Sequence, residues 1–365
     1  MAVRRLRVEQ FRCFDRAELE PGPGWNLVTG ENASGKTSLL EALFYLGRGR
    51  SFRTGRPGRM VREDSEGFRL FAELAGGHRL GVERAGKRTR WRRDGEDLKR
   101  LAEIAEVFPV LAVDTAAQDL VEGGPGERRR FLDWGLFHVE PGFLETWRRY
   151  RQALSQRNRA LRDLAGKRGQ ATDVGIWEPA LGEAGERLDE LRRRQVARLE
   201  GPVTQMARVA LGVDSVALEY RGGWGKSESL VDALGRNRES DRRMGHTLVG
   251  PHRAELRIRV DGRAARERLS RGQQKVLAAA VLLGGAAVFE ECRGAGVTLL
   301  VDDLPAELDP AHAARVGEML QGVGGQRFVT GVDAERLGAI APADAHWFHV
   351  KQGGIQPCSP GARLV

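Results

Sequence analysis

Trp25-Asn26-Leu27-Val28-Thr29-Gly30-Glu31-Asn32-Ala33-Ser34-Gly35-Lys36-Thr37-Ser38-Leu39-Leu40 decides how the rest of the chain is read. Residues 25–29 form an apolar run of strand length, and from Lys36 to Leu46 the apolar residues Leu39, Leu40, Ala42, Leu43 and Leu46 follow helical spacing. Between the two, Gly30 to Thr37 satisfies G-x-x-x-x-G-K-[ST] in the strand-loop-helix setting that this pattern requires. Its glycines permit a tight loop whose backbone N–H groups turn inward, and the helix N-terminus adds positive potential, so the segment suits a phosphate. Gly30, Glu31, Asn32, Ala33, Ser34, Gly35, Lys36, Thr37 and Ser38 are the candidate ATP-binding set. Lys36 is placed to reach the β- and γ-phosphates, and the Thr37 hydroxyl to ligate Mg²⁺. The bland alternative is a glycine turn capped by Thr37; the flanking strand and helix weigh against it.

A second motif fits the first. Val297-Thr298-Leu299-Leu300-Val301-Asp302-Asp303 reads as a buried strand ending in two carboxylates. Such a strand delivers its terminal acids to the carboxyl edge of a sheet, beside the phosphate loop of a neighbouring strand. Asp302 is expected to hold Mg²⁺, through water, and Asp303 to orient or activate the attacking water. Acids after strands are also common helix caps, so this motif gains its meaning from its pairing with the loop.

Around these motifs, strands are expected at Val3–Phe11, Phe68–Leu74, Arg79–Arg84, Thr89–Arg93, Phe108–Val113, Val216–Tyr220, Glu255–Val260 and Arg327–Thr330. Phe143, Trp147, Tyr150, Leu154, Leu161 and Leu164, then Trp177, Leu181, Ala184, Leu188, Leu191 and Leu199, predict two antiparallel helices joined near Gly166–Gly175. Further helices are expected at Gln273–Phe289 and Ala311–Leu320. A βα pattern on both sides of the helical segment implies one α/β domain, 1–142 with 245–365, interrupted by a helical arm at 143–244.

Composition narrows the function classes. With 365 residues, 41% apolar and 30% charged, the chain is long and apolar enough to build a core. Its longest apolar run, Val276–Phe289, is too short for a bilayer, and Met1–Arg7 lacks the apolar core of a secretion signal. Cys13, Cys292 and Cys358 form neither a disulfide framework nor a zinc site, which points to a reducing, cytoplasmic compartment with no membrane partner. A formal charge of +9 favours a polyanion. Only seven of the 59 basic residues are lysine, and an arginine excess of this kind also follows from a GC-rich genome.

Leu269-Ser270-Arg271-Gly272-Gln273 opens the long apolar helix, where Ser270 alone would serve as an N-cap. The run also resembles the Leu-Ser-Gly-Gly-Gln signature of ABC ATPases, with Arg271 in place of the first glycine. Ala306-Glu307-Leu308-Asp309 resembles the D-loop of the same superfamily, with alanine where serine is usual. Gly124-Pro125, Arg129-Arg130-Phe131-Leu132-Asp133-Trp134-Gly135, Phe137-His138-Val139-Glu140-Pro141, Gln156-Arg157-Asn158 and Gly250-Pro251-His252-Arg253 complete the pattern. Together they are similar to the RecF family of bacterial recombination mediator ATPases over essentially the whole chain.

That resemblance implies an α/β fold: an SMC-like ABC ATPase head, with a phosphate-loop sheet, helices and an antiparallel β part, interrupted by a short arm. It implies an ATP-dependent homodimer in which Ser270, Gly272 and Gln273 of one subunit meet the γ-phosphate held by the other. It also implies weak, DNA-stimulated ATP hydrolysis, binding to double-stranded and gapped DNA, and work with RecR and RecO to load RecA. Arg12, after the first strand, resembles an arginine that reaches the nucleotide, and Gln118 a Q-loop residue; an ordinary surface arginine and a polar loop glutamine are the alternatives. After Phe328-Val329-Thr330 the chain reads Gly331-Val332-Asp333, where many ABC ATPases carry a switch histidine.

Lys87-Arg88-Thr89-Arg90-Trp91-Arg92-Arg93 suits phosphate contacts on one strand face, although a charged edge strand is the simpler reading. His138 and His252 have no metal-ligand spacing, and structural hydrogen bonding is expected of them. Two other functions remain in view: an SMC-like or defence-system ATPase acting through a protein partner, and the energising subunit of a transporter.

Overall fold

The computed structural model describes residues 2–165, 173–303 and 308–359. The chain divides into two compact units, one of Met1–Gln118, Gln205–Gly212 and Leu269–Val365, the other of Asp119–Thr204 and Val213–Arg268. The first begins with strands β1 (Val3–Phe11), β2 (Phe14–Leu19) and β3 (Trp25–Thr29), and helix α1 (Lys36–Arg48). Strands β4 (Gly67–Leu74), β5 (Arg79–Ala85), β6 (Arg88–Arg93) and β7 (Glu96–Asp97), helix α2 (Ala102–Val107) and strand β8 (Val110–Val113) follow. Helices α3 (Pro125–Val139), α4 (Phe143–Ala165) and α5 (Glu178–Leu211), strand β9 (Val216–Arg221), helix α6 (Leu230–Met244), strands β10 (Glu255–Val260) and β11 (Arg263–Ala264) and helix α7 (Ala265–Arg268) come next. The chain closes with α8 (Arg271–Arg293), β12 (Thr298–Val301), α9 (Pro310–Gln321), β13 (Arg327–Gly331), α10 (Ala334–Ile340), β14 (His346–Lys351) and β15 (Gly354–Cys358).

Two six-stranded sheets build the first unit. One is antiparallel in the order β2-β1-β4-β5-β6-β7. The other runs β15-β14-β3-β13-β12-β8, all neighbours parallel except the β14–β15 hairpin. Strands β3, β12 and β13 are buried at every position, as expected of interior parallel strands covered on both faces. A single core joins the inner face of the antiparallel sheet (Leu6, Val8, Leu70, Val82) to α1 (Leu39, Leu40, Leu43) and to Leu300 and Phe328. Helix α1 is therefore surrounded, and even its Lys36, Ser38 and Glu41 are buried.

In the second unit, Phe143, Tyr150 and Leu154 of α4 pack on Leu181, Leu188 and Leu191 of α5. The pairs Arg149–Glu183 at 3.4 Å and Arg157–Glu178 at 3.0 Å fix their antiparallel sense. Helix α5 runs past the expected end at Leu199 and through Pro202. Proline there forfeits one backbone hydrogen bond, while Val203, Ala207 and Ala210 beyond it are fully buried. The 143–244 arm expected from sequence lies in this unit apart from 205–212, and the unit also takes in 119–142 and 245–268. Arg128 on α3 grips both carboxylate oxygens of Glu255 on β10, at 2.9 and 3.1 Å, and Arg129 donates to the Ala254 carbonyl. Among the described residues, no helix is long and apolar enough to cross a membrane.

Candidate nucleotide site

Strand β3 lies inside the parallel sheet, and the loop from Gly30 to Gly35 leaves its carboxyl end to open α1. Two glycines are dictated by geometry. Gly30 has φ 154°, and a Cβ there would lie 2.4 Å from the Val350 carbonyl oxygen; Gly35 has φ 122°, and its Cβ would fall 2.7 Å from Cys13 Sγ. Because Gly35 is the N-cap, no side chain caps the first turn of α1, which leaves its backbone N–H groups for an incoming anion. Lys36, 4% exposed, folds back over the loop and donates through Nζ to the carbonyls of Gly30 and Glu31, each at 2.9 Å. The Ser34 hydroxyl is buried within the loop and has no hydrogen-bond partner among the described residues.

The second motif meets the first through an intervening strand. Asp302 leaves β12, Thr37 begins α1, and Thr330 sits on β13 between β12 and β3. Asp302 Oδ1 accepts from Thr37 Oγ1 at 3.0 Å and from Thr330 Oγ1 at 2.9 Å. With its one proton committed to Asp302, the Thr330 hydroxyl accepts from the Asp303 backbone N–H at 2.9 Å. Asp303 adopts a left-handed backbone, φ 49°, and among the described residues its buried Oδ1 has no partner. Burial pushes the Asp302 carboxyl above its usual range, and the two threonine hydroxyls oppose that shift.

Sequence reasoning missed two members of this cluster. Thr330 is one. The other is Asp114, which follows β8 and is placed beside Asp302 by the register Val113↔Val301. Burial, then the Asp302 charge, pushes its pKa up to about 6. The signal was present, since Val110–Val113 ends in an acid just as β12 does, but the pairing of the two strands is not written locally.

Among the described residues no group of three or more His, Cys, Asp or Glu side chains is arranged to hold a metal by itself. Thr37 and Asp302 offer two hard oxygens, which fits Mg²⁺, an ion that takes few protein ligands and completes its shell with water and substrate phosphates. The orphaned Ser34 and Asp303 oxygens fit the same picture of a site built for polar guests.

The remaining candidates stand apart from this cluster. Arg12 donates through Nε and Nη2 to both oxygens of the fully buried Glu41, each at 2.7 Å, and through Nη1 to the Arg59 carbonyl. Gln118 lies half-buried in a 3₁₀ turn, Thr115–Leu120. Ser270 and Gln273 form a reciprocal capping box at the start of α8. Gly272, exposed beside them, has open space where a Cβ would stand. Among the described residues, no hydrogen bond joins these five to the phosphate loop.

Of the D-loop-like run, Ala306 and Glu307 lie outside the described residues; Asp309 caps α9 through the N–H groups of Ala311 and His312. Asp333 caps α10 in the same way. Strand β6 is not an edge, being paired with β5 and β7, and its Arg90 and Arg92 share Asp97 at 3.5 and 2.8 Å.

The chain matches the family model described as RecF/RecN/SMC N terminal domain over residues 2–345. It is 38% identical to the DNA replication and repair protein RecF of Thioalkalivibrio sulfidiphilus, covering 98% of this chain and 99% of that protein. It is 40% identical to the RecF of Chromohalobacter salexigens, over 97% and 99% of the two chains. A solved structure of the recombination mediator RecF with ATP superposes with a TM-score of 0.84 at 25% identity, covering 98% of this chain and 97% of that one. The Smc head domain of Pyrococcus furiosus shares the fold, with a TM-score of 0.58 at 14% identity over 98% and 95%. With its family model matched almost end to end and full-length relatives near 40% identity, the chain belongs to the RecF family of DNA replication and repair proteins.

Proposed function

We propose that this chain is an ATP-driven switch of recombinational repair and replication-fork recovery, working in the cytoplasm. The observation that carries the reading is the meeting of the phosphate loop with the β12 acids through Thr37, Asp302 and Thr330. Lys36 leaves the loop carbonyls for the β- and γ-phosphates, and the bare first turn of α1 supplies N–H donors. Thr37 and Asp302 would hold Mg²⁺, which neutralises phosphate charge when bound. Asp303 orients the attacking water and takes its proton as general base. Arg12 and Gln118 complete the nucleotide's surroundings.

The capping box of Ser270 and Gln273, with the sterically unconstrained Gly272, supports a role for this helix end outside its own subunit. Among the described residues nothing requires glycine there, whereas close approach of a second copy's γ-phosphate would. ATP then drives head-to-head dimerisation on double-stranded or gapped DNA, and hydrolysis releases the dimer. Asp303 has a shorter side chain than the glutamate usual at this position in transporter ATPases, so hydrolysis is slow, which suits a timer. RecR, with RecO and RecA, are the partners that the family's pathway supplies. In this reading the first unit is the head and the second its arm.

A fluorescent ATP analogue titrated with and without Mg²⁺, followed by labelled duplex DNA, tests the reading. Mg²⁺-dependent nucleotide binding and ATP-stimulated DNA binding are expected; DNA affinity indifferent to nucleotide would refute the switch.

A further inference from the structure

Residues 48–62 contain six arginines, Arg48, Arg50, Arg53, Arg56, Arg59 and Arg62, and no acid; from Arg50 onward they recur at every third position. The segment follows α1 and is tied down by side-chain hydrogen bonds. Ser51 donates to the buried Glu41, and Arg53 lies 3.6 Å from the same carboxylate. The Ser51 hydroxyl accepts from the N–H groups of Arg53 and Thr54, and the Thr54 hydroxyl from that of Arg56. Pro57 opens a 3₁₀ turn, Met60 is buried in the core, and Arg62 donates to the carbonyls of Gln10 and Cys13. The strap is thus held at its start by Glu41 of α1 and at its end by Gln10 and by the turn between β1 and β2. That turn packs against the phosphate loop, with Cys13 Sγ 3.9 Å from the Ser34 carbonyl.

Its middle faces solvent: Arg53, Arg56 and Arg59 are exposed, and the guanidinium groups of Arg56 and Arg59 have no acidic partner among the described residues. The arginines of the antiparallel sheet differ. Arg90 and Arg92 are matched by Asp97, Arg69 by Glu83, and Arg5 and Arg7 by Glu18. A sheet face neutralised in this way has few counterions to release from a polyanion, whereas Arg56 and Arg59, exposed and without an acidic partner among the described residues, have their charge available.

We propose that residues 50–59 form a sequence-independent docking surface for the phosphate backbone of nucleic acid, with Arg56 and Arg59 as its principal contacts. This rests on the DNA-binding reading above and assigns that reading a surface. Contacts of this kind to phosphate oxygens fix position and carry no sequence information.

The test compares the full-length protein, Arg56→Ala/Arg59→Ala, Arg56→Lys/Arg59→Lys and Arg90→Ala/Arg92→Ala. Anisotropy of a labelled duplex is read with ATP and Mg²⁺ between roughly 50 and 200 mM salt, and binding of a fluorescent ATP analogue is read in parallel. The strap alanine variant should lose about tenfold in DNA affinity, and the slope of log affinity against log salt should become shallower by about 1.8, two phosphate contacts' worth. The lysine variant should keep most of the affinity, the sheet variant should stay within about twofold, and all should bind nucleotide alike. DNA affinity unchanged in the strap alanine variant, an equal loss in the sheet variant, or a parallel loss of nucleotide binding would each overturn the assignment. Unaltered protein that binds no duplex would overturn both this surface and the reading beneath it.

Discussion

Thr37 and Asp302 are 265 residues apart in sequence, yet the threonine hydroxyl donates to the carboxylate at 3.0 Å. That bond joins the first turn of α1, which follows β3, to the end of β12, and Thr330 on β13, the strand between β3 and β12, donates to the same oxygen. Both hydroxyls favour the ionised form of Asp302 against the burial that disfavours it. The pocket is held ready for a cation by neutral side chains.

Thr330→Val should therefore affect both acids. It removes a donor from Asp302 and leaves the Asp303 N–H without its acceptor, at a cost of about 1–3 kcal/mol in stability for a buried unsatisfied group. Urea unfolding reads the stability and steady-state assays the turnover, which should fall about tenfold if Asp303 loses its set position. A variant that is as stable and as active as the unaltered protein would remove Thr330 from the account.

Asp303→Asn and Asp302→Asn should separate two roles. The first is expected to bind ATP normally, hydrolyse it far more slowly and persist as a dimer on DNA, since it loses only the proton acceptor. The second should also require more Mg²⁺ for nucleotide binding. Stopped-flow nucleotide binding at several Mg²⁺ concentrations distinguishes them, and normal turnover in Asp303→Asn would contradict a general-base role.

The site's two halves were legible because each is written in consecutive residues: a glycine loop before a helix, and an apolar run before two acids. What joins them was not. Thr330 lies on a strand that sequence places correctly, but nothing local says that β13 inserts between β3 and β12, or that β8 brings Asp114 alongside. Strand β14, also unread, pairs with β3 and supplies the Val350 carbonyl that excludes any Cβ at Gly30. Helix α6 escaped notice although Ser229 and Gly245 cap it, because its run of charges hides the apolar stripe of Leu230, Ala233 and Leu234. Two of the family-like motifs outside the nucleotide site supply internal ion pairs. Arg157, fully buried, binds Glu178, Asp241 and Thr247, and Asp133 pairs with Arg192.

His252 supplies a pH dependence in the second unit. Its Nε2 lies 3.0 Å from the Thr247 carbonyl, which can only accept, so Nδ1 accepts from the Tyr150 hydroxyl at 2.6 Å. Burial, with the nearby Arg253, Arg129 and His246, lowers its pKa to about 4. The fold thus keeps the ring neutral. Above pH 6.5 neither state is charged; as pH falls from there toward 4 the unfolded chain gains a proton that the folded one refuses, so stability drops by up to about 3 kcal/mol. Chemical denaturation across that range should show the fall, and His252→Gln should flatten this part of it. A slope unchanged in the variant would assign the effect elsewhere.

The central claim, an ATP-driven pairing of heads, is tested most directly by sedimentation of the full-length protein with and without ATP and Mg²⁺. The account predicts monomer without nucleotide and dimer with it. Lys36→Met should stay monomeric because it no longer binds ATP, whereas Ser270→Arg should bind ATP as a monomer yet fail to pair. Dimers in equal amount with and without ATP, or in both variants as in the unaltered protein, would contradict it.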